Sequence, residues 1–144
     1  MKKNSGFTLI EMLVVVAVIG ILSSVLLTSL GPAKSKAKDA RIIQEIDQAR
    51  TIAETIYDGG YSGLPTSENQ IVVHSTLGPL YTDIITQGGQ MIIRKDNNGY
   101  VIYSKLNTLV KDGLQEKVSH YCVDSAGKTA FTTNPPSSGP TLCP

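Results

Sequence analysis

Histidine and cysteine are scarce in this chain, with two of each among 144 residues. His74 and His120 stand far apart in sequence. Neither has a serine/aspartate or cysteine/asparagine partner at the spacing of a nucleophile and its base, so local sequence assembles no hydrolytic centre. A surface or strand position accounts for both. Cys122 follows His120 closely, but one histidine and one cysteine do not make the four-ligand spacing of a zinc site. Charge is equally sparing: 13 Lys and Arg against 12 Asp and Glu give a formal +1, without the basic stripe that tracks a phosphate backbone. Lys34, Lys36, Lys38 and Arg41 cluster but alternate with small residues, as on a solvated helix face. Asp96-Asn97-Asn98-Gly99 lacks the alternate-position oxygens and terminal glutamate of a calcium loop and reads as a turn. The expectation is a chain that is not an enzyme, with no cofactor, no metal and no direct nucleic-acid partner.

What the sequence does have is a run, residues 7–30 (FTLIEMLVVVAVIGILSSVLLTSL), that is apolar or small throughout except at Glu11. About 20 apolar residues span a bilayer as a helix. An ionised carboxylate inside such a helix costs roughly 2.5–3.5 kcal/mol, so Glu11 needs a partner. The nearest one arises if the chain is cut between Gly6 and Phe7. The new α-amino group then sits one turn from Glu11, at a helix N-terminus that itself favours negative charge. An ordinary signal peptide has a shorter apolar stretch, about 7–15 residues, and is discarded after a small-x-small site. Lys2 and Lys3 hold the N-terminus in the cytoplasm. A plain single-pass anchor accounts for length and orientation but not for Glu11.

Past residue 30 the pattern becomes amphipathic. Gly31-Pro32 marks a bend, because proline removes a donor and restricts the residue before it, after which the helix resumes. Over residues 33–57 the apolar positions Ala40, Ile43, Ile46, Ala49, Ile52 or Ala53, and Ile56 form one stripe. Asp39, Arg41, Glu45, Asp47, Arg50 and Glu54 lie opposite, and Gly59-Gly60 ends the helix.

The run Lys2-Lys3-Asn4-Ser5-Gly6-Phe7-Thr8-Leu9-Ile10-Glu11 resembles the leader and mature start of type IV prepilins and of the related pseudopilins of type II secretion. The close resemblance covers residues 1 to about 60. It implies a leader over residues 1–6, cleavage after Gly6 by a membrane prepilin peptidase, and methylation of the new amino terminus at Phe7. It also implies a pilin fold of class α+β, in which a long N-terminal helix packs on a small C-terminal antiparallel sheet. Residues 7–30 would be the membrane and filament-core half of that helix, residues 31–58 its amphipathic half, and residues 59–144 a globular head. The chain departs from many family members at Thr28, where they carry proline; Pro32 lies four residues later.

In the head, residues 67–74 lean to a short helix capped by Ser67 with Gln70 third, the alternative being a strand over residues 71–73, and Gly78-Pro79 and Gly88-Gly89 read as turns. Residues 91–95 and 100–106 flank Asp96-Asn97-Asn98-Gly99, and residues 119–123 and 129–132 flank Asp124-Ser125-Ala126-Gly127. These two hairpin signals use residues that tolerate positive φ and predict about four antiparallel strands. Residues 134–144 read as a loop. With the N-terminus inside, everything beyond residue 30 is delivered outside, where Cys122 and Cys143 are expected to form a disulfide. Type IV pilins close a C-terminal loop in this way and many pseudopilins do not.

The resemblance therefore implies a structural subunit of a type IV pilus, stored as a single-pass protein of the cytoplasmic membrane and extracted into an extracellular filament; the alternative is a pseudopilin of a type II secretion or DNA-uptake system, in a periplasmic pseudopilus. Its partners would be membrane lipid, the peptidase, an inner-membrane assembly platform, and identical or related subunits. Glu11 of a subunit in place would accept the Phe7 amino group of the incoming one, with Leu9, Leu13, Val16 and Leu27 supplying apolar contact.

Overall fold

The computed structural model describes residues 6–135 and 142–144. Lys2 and Lys3, nearly all of the expected leader, and residues 136–141 of the expected C-terminal loop lie outside the described residues. The order of elements is α1 (Leu9–Thr55), α2 (Glu68–Val73), α3 (Leu77–Thr86), β1 (Met91–Lys95), β2 (Tyr100–Asp112), β3 (Gln115–Asp124) and β4 (Thr129–Thr132). The strands form one antiparallel sheet in the order β1-β2-β3-β4, so the chain has the α+β architecture of a long N-terminal helix followed by a small antiparallel sheet. It divides into two compact units, up to Lys34 and from Ser35 onward.

The first unit is helix alone. α1 continues through Gly31-Pro32 without interruption. All side chains from residue 6 to residue 34 are exposed. The hydroxyls of Ser24, Thr28 and Ser29 donate back to the carbonyls of Ile21, Val25 and Leu26 at 2.8–3.0 Å. Three of the four hydroxyls in residues 23–29 thus find acceptors on the helix's own backbone, as a lipid surround favours.

In the second unit α1 buries Ile42, Ile46, Ala49 and Ala53 against the face of the sheet that carries Tyr100, Ile102, Leu106, Tyr121 and Val123. The strand period of two sends Val101, Tyr103 and Cys122 to the other face, where they meet Cys143. The buried stripe holds as expected at Ile46, Ala49 and Ala53 and departs only toward its N-terminal end, where Ala40 is exposed and Ile43 half-buried while Ile42 and Asp39 are buried. Asp39 is therefore not on the solvent face. The cause is the sheet: β2 and β3 slip register between Lys105 and Leu109, and the backbone N–H groups freed there need an acceptor from α1.

α2 has the expected Ser67/Gln70 capping box. Gly78-Pro79, in contrast, is not a turn but the first turn of α3, where proline's missing N–H has no intrahelical partner to lose. Glycine is required at 78 because a β-carbon there would collide with the Val72 carbonyl. The turn at Asp96-Asn97-Asn98-Gly99 uses no positive φ. It is closed instead by the Asp96 carboxylate, which accepts the N–H groups of Asn98 and Gly99 at 2.7 and 2.8 Å. The second hairpin does turn at Gly127, with φ 86°. A third hairpin, absent from the sequence reading, lengthens β2 to Asp112 and starts β3 at Gln115 through the two-residue turn Gly113-Leu114.

Candidate functional site

The apolar run folds so that its one carboxylate is tied to the residue that starts the helix. Thr8 precedes the first helical residue and Glu11 is the third, the T-x-x-E spacing of a capping box. The Thr8 N–H and hydroxyl donate to Glu11 Oε2 at 2.8 and 2.7 Å, and the Glu11 N–H donates to Thr8 Oγ1 at 3.3 Å. In the uncut chain the nitrogen of Phe7 is an amide, so Thr8 is the group that answers Glu11. The sequence reading missed this role of Thr8, although the spacing was the signal for it. Gly6, Phe7 and Glu11 lie together at this end of α1, all exposed.

Around the box the surface is apolar. Phe7, Leu9, Leu13, Val16 and Leu27 are all more than half exposed. The N-terminal half of α1 is strongly apolar and none of it is buried, so by length and composition this helix can cross a membrane. A continuous uncovered surface of this size needs lipid or other helices around it.

The head is fixed to the second half of α1 through carboxylates that sequence reading had assigned to solvent. Tyr100 donates to Glu54 at 2.5 Å and Tyr61 to the same group at 3.3 Å. Tyr121 donates to Asp47 at 2.9 Å and, within the head, Tyr81 to Glu68 at 2.6 Å. Burial, and then the bond to Asp47, pushes the Tyr121 phenol up to about 12. The bond to Glu68, helped by burial, does the same for Tyr81. Asp39 accepts the backbone N–H groups of Asn107 and Thr108 at 2.6 and 2.9 Å and the Asn107 amide at 2.9 Å. Burial alone would raise its pKa, but the hydrogen bonds from Thr108 and Asn107 outweigh it and hold the carboxyl below the usual aspartate range.

Cys122 on β3 is bonded to Cys143. The fully buried Asp124 holds the same junction: its carboxylate accepts the N–H of Cys143 and that of Lys128, both at 2.9 Å. The Lys128 ammonium donates to the Cys143 carbonyl at 3.1 Å. The two histidines have separate surroundings. His74 Nδ1 accepts the Leu77 N–H at 3.3 Å at the start of α3, while His120 on β3 has its pKa lowered by burial.

Residues 1–27 match a family model described as "Prokaryotic N-terminal methylation motif". The chain is 37% identical over 78 residues, 52% of its own length and 48% of the other's, to "Fimbrial protein EcpB" of Eikenella corrodens. It is 33% identical over 98 residues, 56% of this chain and 61% of the relative, to a "Type IV major fimbrial protein FimA" of Dichelobacter nodosus. It is also 36% identical over 55 residues, 38% of this chain and 36% of the relative, to a "Fimbrial protein" of Pseudomonas aeruginosa. The chain spans about half the length of the first of these relatives. No solved structure matches it. The chain therefore carries a prokaryotic N-terminal methylation motif and is similar, over about half its length, to fimbrial proteins, a type IV major fimbrial protein among them.

Proposed function

We propose that this chain is a structural, non-enzymatic subunit of a type IV pilus. It is cut after Gly6 by a prepilin peptidase, methylated at Phe7 and polymerised through residues 7–30. Before assembly it is a single-pass protein of the cytoplasmic membrane with its N-terminus inside, and afterwards part of an extracellular filament built with identical or related subunits at an inner-membrane platform. The observation that carries this reading is the Thr8–Glu11 box at the head of an uncovered apolar helix. In the stored subunit Thr8 satisfies the carboxylate; in the filament the methylated amine of the next subunit's Phe7 supplies the opposite charge. Because apolar helices gain little from burial against one another in lipid, this polar contact sets the register of docking. The disulfide and the fimbrial names of the relatives support a pilus over a secretion or uptake pseudopilus. Mass spectrometry of subunits sheared from cells tests it: the expected mature chain begins at methylated Phe7, whereas a chain starting at Met1, or cut near Ser24, refutes the reading.

A further inference from the structure

Leu114 is the most exposed large apolar residue of the head. It occupies the second position of the turn between β2 and β3, with a relative exposure of 107%. Gly113 takes the positive φ, 65°, the pattern of a type II′ turn, so the backbone presents Leu114 at the tip with no contribution from packing. The same unit carries an unfilled groove of about 290 Å³ between α1 and the helix side of the sheet. Ala40, Ile43, Leu106, Val110 and Phe131 form its apolar wall and Lys36 stands beside them; Phe131 is 65% exposed. Leu114 does not line the groove of its own chain, because Val110 already lines it and the strand runs on about 7 Å to Asp112 before the turn.

Each surface also carries one exposed charge of opposite sign, while Asp39 in the groove is engaged by the Asn107 and Thr108 N–H groups. At the tip, Asp112 and Lys117 neutralise each other at 2.6 Å. Glu116 is exposed and has no ion pair among the described residues, not even with Lys111, its neighbour across the ladder. Lys36 is likewise exposed and without an ion pair among them.

We infer that the β2–β3 tip of one copy seats in this groove of the next, Leu114 against Ala40, Ile43 and Phe131, with Glu116 meeting Lys36. Tip and groove are different surfaces, so the contact is heterologous and repeats head to tail in an open helical series. The inference rests on the reading of the chain as a polymerising subunit and adds a contact between heads to the one between helices.

The test uses the full chain in cells. A variant carrying both Leu114→Cys and Ala40→Cys, oxidised and run without reductant, gives a ladder of covalent oligomers. Mixing the two single variants gives dimers and no ladder. Leu114→Ser lowers the yield of sheared fibres roughly tenfold, the consequence of one leucine left unburied, with mature subunit in the membrane unchanged; Leu114→Met restores it. Fibres of the double-cysteine variant without a ladder overturn the head contact and leave the polymerisation reading standing. Dimers from Leu114→Cys alone also overturn it, because they mean symmetric pairing of tips. Absence of fibres from the unsubstituted chain overturns both.

Discussion

Replacing Glu11 separates storage in the membrane from assembly. In the uncut chain Glu11 Oε2 accepts two hydrogen bonds from Thr8, at 2.8 and 2.7 Å. Hydrogen bonds to a charged group strengthen where water is excluded, so they offset the cost of holding this carboxylate at membrane depth. Glu11→Ala removes the cost and the compensation together. Insertion, and cleavage at Gly6, should therefore proceed at nearly the same level. Assembly loses far more. Without the carboxylate, the Phe7 ammonium of an incoming subunit has no acceptor in a low-dielectric filament core. An unpaired buried charge costs about 3–5 kcal/mol, a factor on the order of a hundred to several thousand in docking affinity. Glu11→Gln keeps an acceptor for the Thr8 N–H but no charge, and should fall between. Thr8→Val, which loses only the hydroxyl, should cost the helix start about 1 kcal/mol and weaken assembly modestly. The assay compares mature subunit in membranes with subunit in sheared fibres for each variant. Normal fibres from Glu11→Ala would refute the charge-pairing mechanism.

Two further expectations concern the head. Asp39→Ala leaves two backbone N–H groups of the β2 irregularity without their acceptor and should destabilise the head by about 2–5 kcal/mol, read by denaturant unfolding of the detergent-solubilised chain. Because the native carboxyl titrates below its unfolded value, its contribution is complete above about pH 4 and is lost as pH falls through the native value. Asp39→Asn should accordingly flatten the acid limb of the stability profile, and an unchanged limb would assign acid sensitivity elsewhere. Cys122→Ser or Cys143→Ser should lower stability by roughly 2–5 kcal/mol, as is usual for a small disulfide-bonded domain. Free thiols in protein purified from cells would overturn a native bond.

The N-terminal methylation motif, the apolar helix and the four-strand antiparallel sheet were legible in the sequence, because each rests on local pattern. A hydrophobic run of membrane length, a Gly-Phe-Thr-x-x-Glu start and strand alternation around Asp/Asn/Gly turns need no knowledge of distant residues. The limits appear where one element answers another. Asp39, Asp47 and Glu54 belong to the polar face of α1 by periodicity, yet each accepts a hydrogen bond from a head residue about 45 to 75 positions away, a separation that helical period does not encode. Asp124 looks like a turn residue, and only the approach of Cys143 makes it a buried anchor. Gly78-Pro79 carries a turn signal, but the Val72 carbonyl and the start of α3 decide its conformation. Sequence alone determined what must leave water and where the chain reverses. The tertiary structure decided which carboxylates are buried and which apolar groups, Leu114 among them, are left facing out. Those outcomes depend on backbone donors and surfaces brought together only by folding.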